Sequence, residues 1–162
     1  MAKKSPGGTP ATVALTRAGV AFTLHEYAHD PRATSYGSEA AEALGLDPDR
    51  VFKTLLAEVD GTLVVAVVPV AGWLDLKALA RALGGRKAAM ADPKDAERST
   101  GYVVGGIAPV GQKRRLPTVV DERATAYDVV YVSAGRRGLD LGIAPADLVA
   151  ATGATTADVS RS

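Results

Sequence analysis

The chain contains no cysteine, and it is poor in histidine, methionine, phenylalanine and tryptophan, with two, two, two and one in 162 residues. Without cysteine it can form no disulfide, no thiolate metal site and no cysteine nucleophile. Aromatic residues are only 5%, so the core must be built mainly from Val, Leu and Ala. Charge is nearly balanced, at +1 overall, so no global field draws the protein to nucleic acid or membrane, and any such contact needs a local patch. No apolar run approaches the roughly 18 residues of a membrane span. The start, Met1 to Gly8, lacks an apolar signal core and is expected to be a loose polar tail. Lack of disulfides fits the cytoplasm as the expected location.

What is present is ordinary for a globular chain: 47% hydrophobic and 23% charged residues, enough to bury a core in a single domain. The organising stretch is Val51-Phe52-Lys53-Thr54-Leu55-Leu56, which sets one lysine inside an apolar run. Asp60-Gly61 follows, then Leu63 to Val70, so the region predicts two strands joined by a tight hairpin. A lysine near the start of a buried strand is costly unless its ammonium reaches water or serves a ligand.

Elsewhere the signals alternate between helix and strand. Thr9-Pro10 is a helix start with Gly19 as its stop, and Phe22 and Leu24 alternate with polar neighbours as in a half-buried strand. Helices are expected over Ser38–Leu44, ended by Gly45, over Leu74–Leu83, from Asp92-Pro93 to about Arg98, and from Ala144 to Thr152. Strands are expected at Lys87–Ala91, Thr118–Asp121, Asp128–Ser133 and Leu139–Ile143, with Ala134–Gly138 as a turn. Thr100 to Gly111 reads as a loop of small residues. The order lacks strict strand–helix alternation, which predicts an α+β domain around a mixed sheet.

His25-Glu26-Tyr27-Ala28-His29 matches the zinc-protease pattern, but that pattern needs a helix to place both imidazoles on one face. Here it sits in a strand-like segment broken by Asp30-Pro31, and in a strand Glu26 would face away from both histidines. No metal is expected. Gly105-Gly106 with Pro109 and Gly111 lacks the Gly-Lys-Ser/Thr ending of a P-loop, and its functional use would be backbone N–H groups that hold an oxyanion. Lys113-Arg114 and Arg136-Arg137 are basic clusters that could bind phosphates if they lined one rim.

Taken as a series, several segments resemble the YbaK/EbsC family of free-standing trans-editing domains. They are Tyr27 before His29-Asp30-Pro31, Val51-Phe52-Lys53-Thr54-Leu55, Val68-Pro69-Val70-Ala71-Gly72, Leu74-Asp75-Leu76-Lys77 and Met90-Ala91-Asp92-Pro93. Arg98 to Tyr102, Gly105 to Pro109, Gln112 to Thr118 and Gly135 to Asp140 complete the set. The resemblance spans about residues 9 to 160 and extends to the insertion domain of bacterial prolyl-tRNA synthetase. It implies a barrel-like twisted mixed sheet flanked by helices, and a Cys-tRNA(Pro) deacylase without a cofactor. The family's essential lysine corresponds to Lys53 and its glycine loop to Gly105, Gly106 and Pro109. Its pocket residues correspond to Tyr27, Tyr36, Thr54, Ser133 and Asp140, with Tyr36 a phenylalanine in the best-studied members. Mischarged proline tRNA is the implied partner, with prolyl-tRNA synthetase a candidate second one.

Ester hydrolysis needs donors for a developing oxyanion and a nucleophile. Lys53 and the Gly105 backbone can supply the donors, yet the chain has neither cysteine nor a G-x-S-x-G elbow. For cysteine substrates the family resemblance implies that the substrate's own thiol attacks its ester. The alternatives are a deacylase for another mischarged tRNA, such as Ala-tRNA(Pro), a non-catalytic tRNA- or synthetase-binding module, and a zinc hydrolase built on His25 and His29, which metal analysis of the purified protein would separate.

Overall fold

Helix starts follow local side-chain chemistry. In the computed structural model, which describes residues 8–33 and 35–162, Thr9 caps α1 (Pro10–Arg17) by accepting from the Thr12 N–H. Asp75 and Asp92 do the same for α3 (Leu76–Ala82) and α4 (Pro93–Thr100). α2 (Tyr36–Leu44) ends at Gly45 in the left-handed region, and α5 (Pro145–Thr152) ends likewise at Gly153. The tail expected over residues 1–8 lies outside the described residues except for Gly8.

The predicted hairpin forms. β2 (Phe52–Val59) pairs antiparallel with β3 (Thr62–Pro69) across Asp60 and Gly61, whose φ values of 50° and 82° match the mirror-image turn that suits strand twist. The other strands are β1 (Thr23–Glu26), β4 (Trp73–Leu74), β5 (Ala88–Met90), β6 (Thr118–Asp121), β7 (Val130–Arg136), β8 (Leu139–Ile143), β9 (Thr155–Ala157) and β10 (Ser160–Arg161). They form a five-stranded sheet in the order β5-β2-β3-β6-β9, a three-stranded sheet β1-β8-β7 and the pair β10-β4. The larger sheet is mixed, because β3/β6 and β6/β9 run parallel while the rest is antiparallel. Val51 bridges to Tyr131 in parallel register, and the Tyr131 N–H donates to the Arg50 carbonyl at 2.9 Å. The two larger sheets thus meet where β2 begins. This gives the barrel-like curvature without a hydrogen-bonded closure among the described residues.

Several boundaries differ from the sequence expectation. α2 begins at Tyr36 rather than Ser38, so Tyr36 and Gly37 lie on its first turn. Leu74 belongs to β4, and α3 starts after the Asp75 cap. β7 runs on to Arg136 through a register shift after Ser133, with Gly135 at φ 110°, so the expected turn shrinks to Arg137-Gly138. A 3-10 turn over Glu122–Ala126 and the short strands β9 and β10 carry too little periodicity to be read in advance.

β3 is buried on both faces. Val65 and Val67 join a large core with Phe52, Leu56, Val120, Val132 and Leu141, whereas Val64, Ala66 and Val68 join a second core beneath α3 with Ala57, Leu79, Val119 and Val159. A strand covered on both sides reads as a continuous apolar run, which explains Leu63 to Val68. The functional cavity opens at the end of this sheet, where β2 starts.

Candidate active site

Six segments converge there. β2 supplies Lys53 and Thr54, β7 and β8 supply Ser133 and Asp140 as directly paired residues, and Tyr27 follows β1. Tyr36 and Gly37 come from the first turn of α2, and Val104 and Gly105 from the small-residue loop. Together with apolar side chains of β2 and α4 they enclose a cavity of ≈ 350 Å³.

Lys53 is half-buried at the second position of β2, and its Nζ donates to the Gly72 carbonyl at 3.0 Å. Burial lowers its pKa. The turn carrying that carbonyl is tightly seated, because a Cβ on Gly72 would stand 2.4 Å from the Arg161 carbonyl oxygen of β10. Gly37 is equally constrained, since a Cβ there would fall 2.3 Å from Val70 Cγ1. Glycine at these two positions therefore lets α2 and β10 pack close to the lysine.

Asp140 is 5% exposed, and burial alone raises its pKa from 3.8 to about 7. No ion pair joins it to Lys53 among the described residues, so the cavity holds an unneutralised acid and an unneutralised base. Burial and the neighbouring Asp140 push the Tyr27 phenol up to about 12, so it remains an O–H donor at neutral pH. Thr54 Oγ1 is the one buried side-chain polar atom without a hydrogen-bond partner among the described residues. An orphaned hydroxyl in a cavity wall costs about 1–3 kcal/mol, which a polar ligand could offset.

The glycine loop is fixed from three directions. Gly105 has φ 90°, and a Cβ there would stand 2.8 Å from the Tyr36 ring. The Val104 N–H donates to Glu97 Oε2 at 2.8 Å, and the Val104 carbonyl accepts from Arg137 Nε at 2.9 Å. The Arg137 guanidinium also lies over the Tyr36 ring, 4.9 Å from its centroid.

Seven of the sequence-derived site residues line this cavity: Tyr27, Tyr36, Lys53, Thr54, Gly105, Ser133 and Asp140. Gly106 and Pro109 are buried outside it. A Cβ on Gly106 would stand 2.8 Å from the backbone of Arg136 and Arg137, so this glycine seats the loop on the β7–β8 turn. The four basic residues fall in two places. Arg136 pairs with Glu26 at 2.9 Å and Arg137 holds the loop, while Lys113 and Arg114 are exposed beyond the end of α4, their N–H groups bonded to Thr100 and Ser99. Sequence reasoning missed the apolar lining, including Leu55, Met90, Ala96 and Ile107. Met90 carried a signal, since Met90-Ala91-Asp92-Pro93 is one of the segments on which the family resemblance rests; in the structure it is left 51% exposed.

The His-Glu-Tyr-Ala-His segment is dispersed. His25 lies on β1 bonded to Thr23 at 2.8 Å, Glu26 pairs with Arg136, and His29 pairs with Glu39 at 2.8 Å. No cluster of three potential metal ligands occurs among the described residues. No described helix is long and apolar enough to cross a membrane.

Comparison with known proteins gives a consistent picture. The model of a family described as the aminoacyl-tRNA editing domain matches residues 29–151. EbsC of Enterococcus faecalis, assigned as a Cys-tRNA(Pro)/Cys-tRNA(Cys) deacylase, is 38% identical over 98% of this chain and 96% of its own length. Proline–tRNA ligase of Moorella thermoacetica is 34% identical over 61% of this chain and 19% of the ligase. A crystal structure described as a trans-editing enzyme for prolyl-tRNA synthetase superposes with a TM-score of 0.84 at 28% identity, covering 99% of this chain and 100% of that one.

Proposed function

Since the chain belongs to the aminoacyl-tRNA editing-domain family, we propose that it hydrolyses the ester of mischarged aminoacyl-tRNA, with Cys-tRNA(Pro) as the principal substrate. The observation that carries the reading is the cavity itself, where Lys53, Gly105 of the glycine loop and the buried Asp140 line one space of ≈ 350 Å³. Residues 9–160 form the catalytic unit, and the site of action is the cytoplasm.

In this reading Lys53 holds the terminal ribose or its phosphate. The Gly105 N–H stabilises negative charge on the ester oxygen as it develops. Ser133, Thr54 and Tyr27 offer hydroxyls to the substrate, and Tyr36 forms an aromatic wall. The substrate's thiol attacks its own carbonyl carbon, forming a C–S bond and closing a four-membered thiolactone. The C–O bond to the ribose breaks, and the ribose oxygen receives a proton. Asp140, poised near neutrality by burial, takes the thiol proton. Water then opens the released thiolactone to cysteine. Selection is chemical, because a pocket separates small side chains by only about 1–3 kcal/mol per methylene. Mischarged proline tRNA is the partner, and prolyl-tRNA synthetase is a second one through the acceptor end it shares.

The test is a deacylation panel of Cys-tRNA(Pro), Ala-tRNA(Pro), correctly charged Cys-tRNA(Cys) and Cys-tRNA(Pro) S-methylated on its cysteine, with binding and turnover measured separately. Turnover of the first, and retained binding without turnover for the S-methylated form, is the expected result. Equal turnover of both would replace the thiol with water as nucleophile. No turnover of any member would reduce the protein to a binding module.

A further inference from the structure

We infer that Arg137 is a positioning residue for the reaction: it fixes the Val104–Gly105 peptide so that the Gly105 N–H turns away from the β7–β8 turn and is available to the acyl oxygen. This rests on the proposed role of that N–H in the reading above.

The Val104–Gly105 peptide is planar and trans, so its C=O and N–H point in opposite directions. Arg137 Nε captures the carbonyl at 2.9 Å, which aims the N–H of the next residue to the other side. Glu97 holds the preceding N–H of Val104 at 2.8 Å, so Val104 is fastened at both its backbone groups. The adjoining Gly106 N–H is consumed by the Val103 carbonyl at 2.9 Å, whereas the Gly105 N–H makes no hydrogen bond to a described residue. Of the three successive N–H groups of Val104, Gly105 and Gly106, the one without a partner among the described residues is thus the one whose direction Arg137 sets.

The same guanidinium stacks over Tyr36, and Tyr36 packs against Gly105. One side chain therefore ties together α2, the glycine loop and the β7–β8 turn. An arginine can donate through Nε while its plane lies on an aromatic face, and a lysine ammonium cannot do both. This use of Nε and of the cationic face also separates Arg137 from a simple phosphate ligand.

The experiment compares wild type, Arg137→Lys and Arg137→Gln on Cys-tRNA(Pro), with melting temperatures recorded and the Gly105 amide followed by 15N NMR in the ligand-free proteins. Both variants are expected to lose kcat by roughly 100-fold, the scale of a small misplacement at a reacting centre, with KM changed only a few-fold. The slope of log affinity against log salt should stay at its wild-type value in both. The Gly105 amide resonance should move in both, including in Arg137→Lys, which keeps the charge and the aliphatic stem and guards against simple unfolding. Wild-type turnover in Arg137→Lys overturns the inference. So does an Arg137→Gln protein with intact kcat and a salt slope flattened by about one, the mark of a lost phosphate contact. If wild type hydrolyses no aminoacyl ester, the proposed function fails, and an unmoved Gly105 resonance in Arg137→Lys would separately overturn the positioning role.

Discussion

Gly105 and the Tyr36 ring are in such close apposition that a single methyl group between them would sit 2.8 Å from the ring carbons. Positive φ at Gly105 adds a second reason for glycine there. Gly105→Ala should therefore force the loop or the tyrosine aside, lowering the deacylation rate by about 100-fold or more. Backbone strain of about 1–2 kcal/mol should lower the melting temperature by only a few degrees. A stable Gly105→Ala protein with normal turnover would show that the loop backbone has no part in the reaction.

Lys53→Ala is expected to reduce turnover by about two to three orders of magnitude, the scale for one preorganised electrostatic group. The fold should persist, because truncation removes a half-buried cation whose one hydrogen bond among the described residues is to the Gly72 carbonyl. Deacylation assays beside circular dichroism check both halves. A folded variant that retains near-normal activity removes Lys53 from the mechanism.

Asp140 makes stability depend on pH in a defined direction. Its folded pKa of about 7 lies above the usual value of 3.8, so the folded state binds the proton more tightly than the unfolded chain. The resulting stabilisation is fully present below about pH 4 and is lost as pH rises through about 7, on the order of 4 kcal/mol in all. Asp140→Asn should abolish this component, so its stability relative to wild type should improve between pH 5 and pH 8. Denaturant titrations across that range test the sign. If Asp140 accepts the thiol proton, kcat should also rise with pH near 7 in wild type and lose that step in Asp140→Asn.

Affinity for tRNA should fall with salt through Lys113 and Arg114, which are exposed beyond α4 and bonded only through backbone in the contacts described. Net charge of +1 cannot produce the effect globally. Removal of each phosphate contact should flatten the slope of log affinity against log salt by about one. Slopes equal to wild type in Lys113→Gln and Arg114→Gln would place the tRNA on another surface.

Much of the fold was legible because its signals are local. The Asp60-Gly61 turn, the Thr9 and Asp92 caps and the stop at Gly45 each act over a few residues, and each appears where the sequence put it. The extension of β7 through Gly135 was not legible, since a glycine–arginine run reads as a turn until its pairing with β8 is known. Among candidate site residues, Lys53 stood out from its apolar strand, whereas Ser133 and Asp140 were named only as pocket residues implied by the family resemblance, since no local pattern in the chain marks them. Arg137 illustrates the remaining gap. A basic residue beside another suggests phosphate binding, and only the positions of Val104 and Tyr36 reveal that its guanidinium is engaged within the protein.

The double burial of β3 has a consequence for handling the protein outside its native state. Leu63 to Val68 is six residues of β-favouring apolar side chains with no charge and no proline, the composition of a self-associating segment. In the folded molecule β2 and β6 occupy both edges of this strand, so it offers no template for another chain. Once those neighbours separate, the segment becomes a nucleus for aggregation. Thermal inactivation should accordingly be irreversible and depend on scan rate and protein concentration, with half-life set by the rate of unfolding rather than by the equilibrium between the two states.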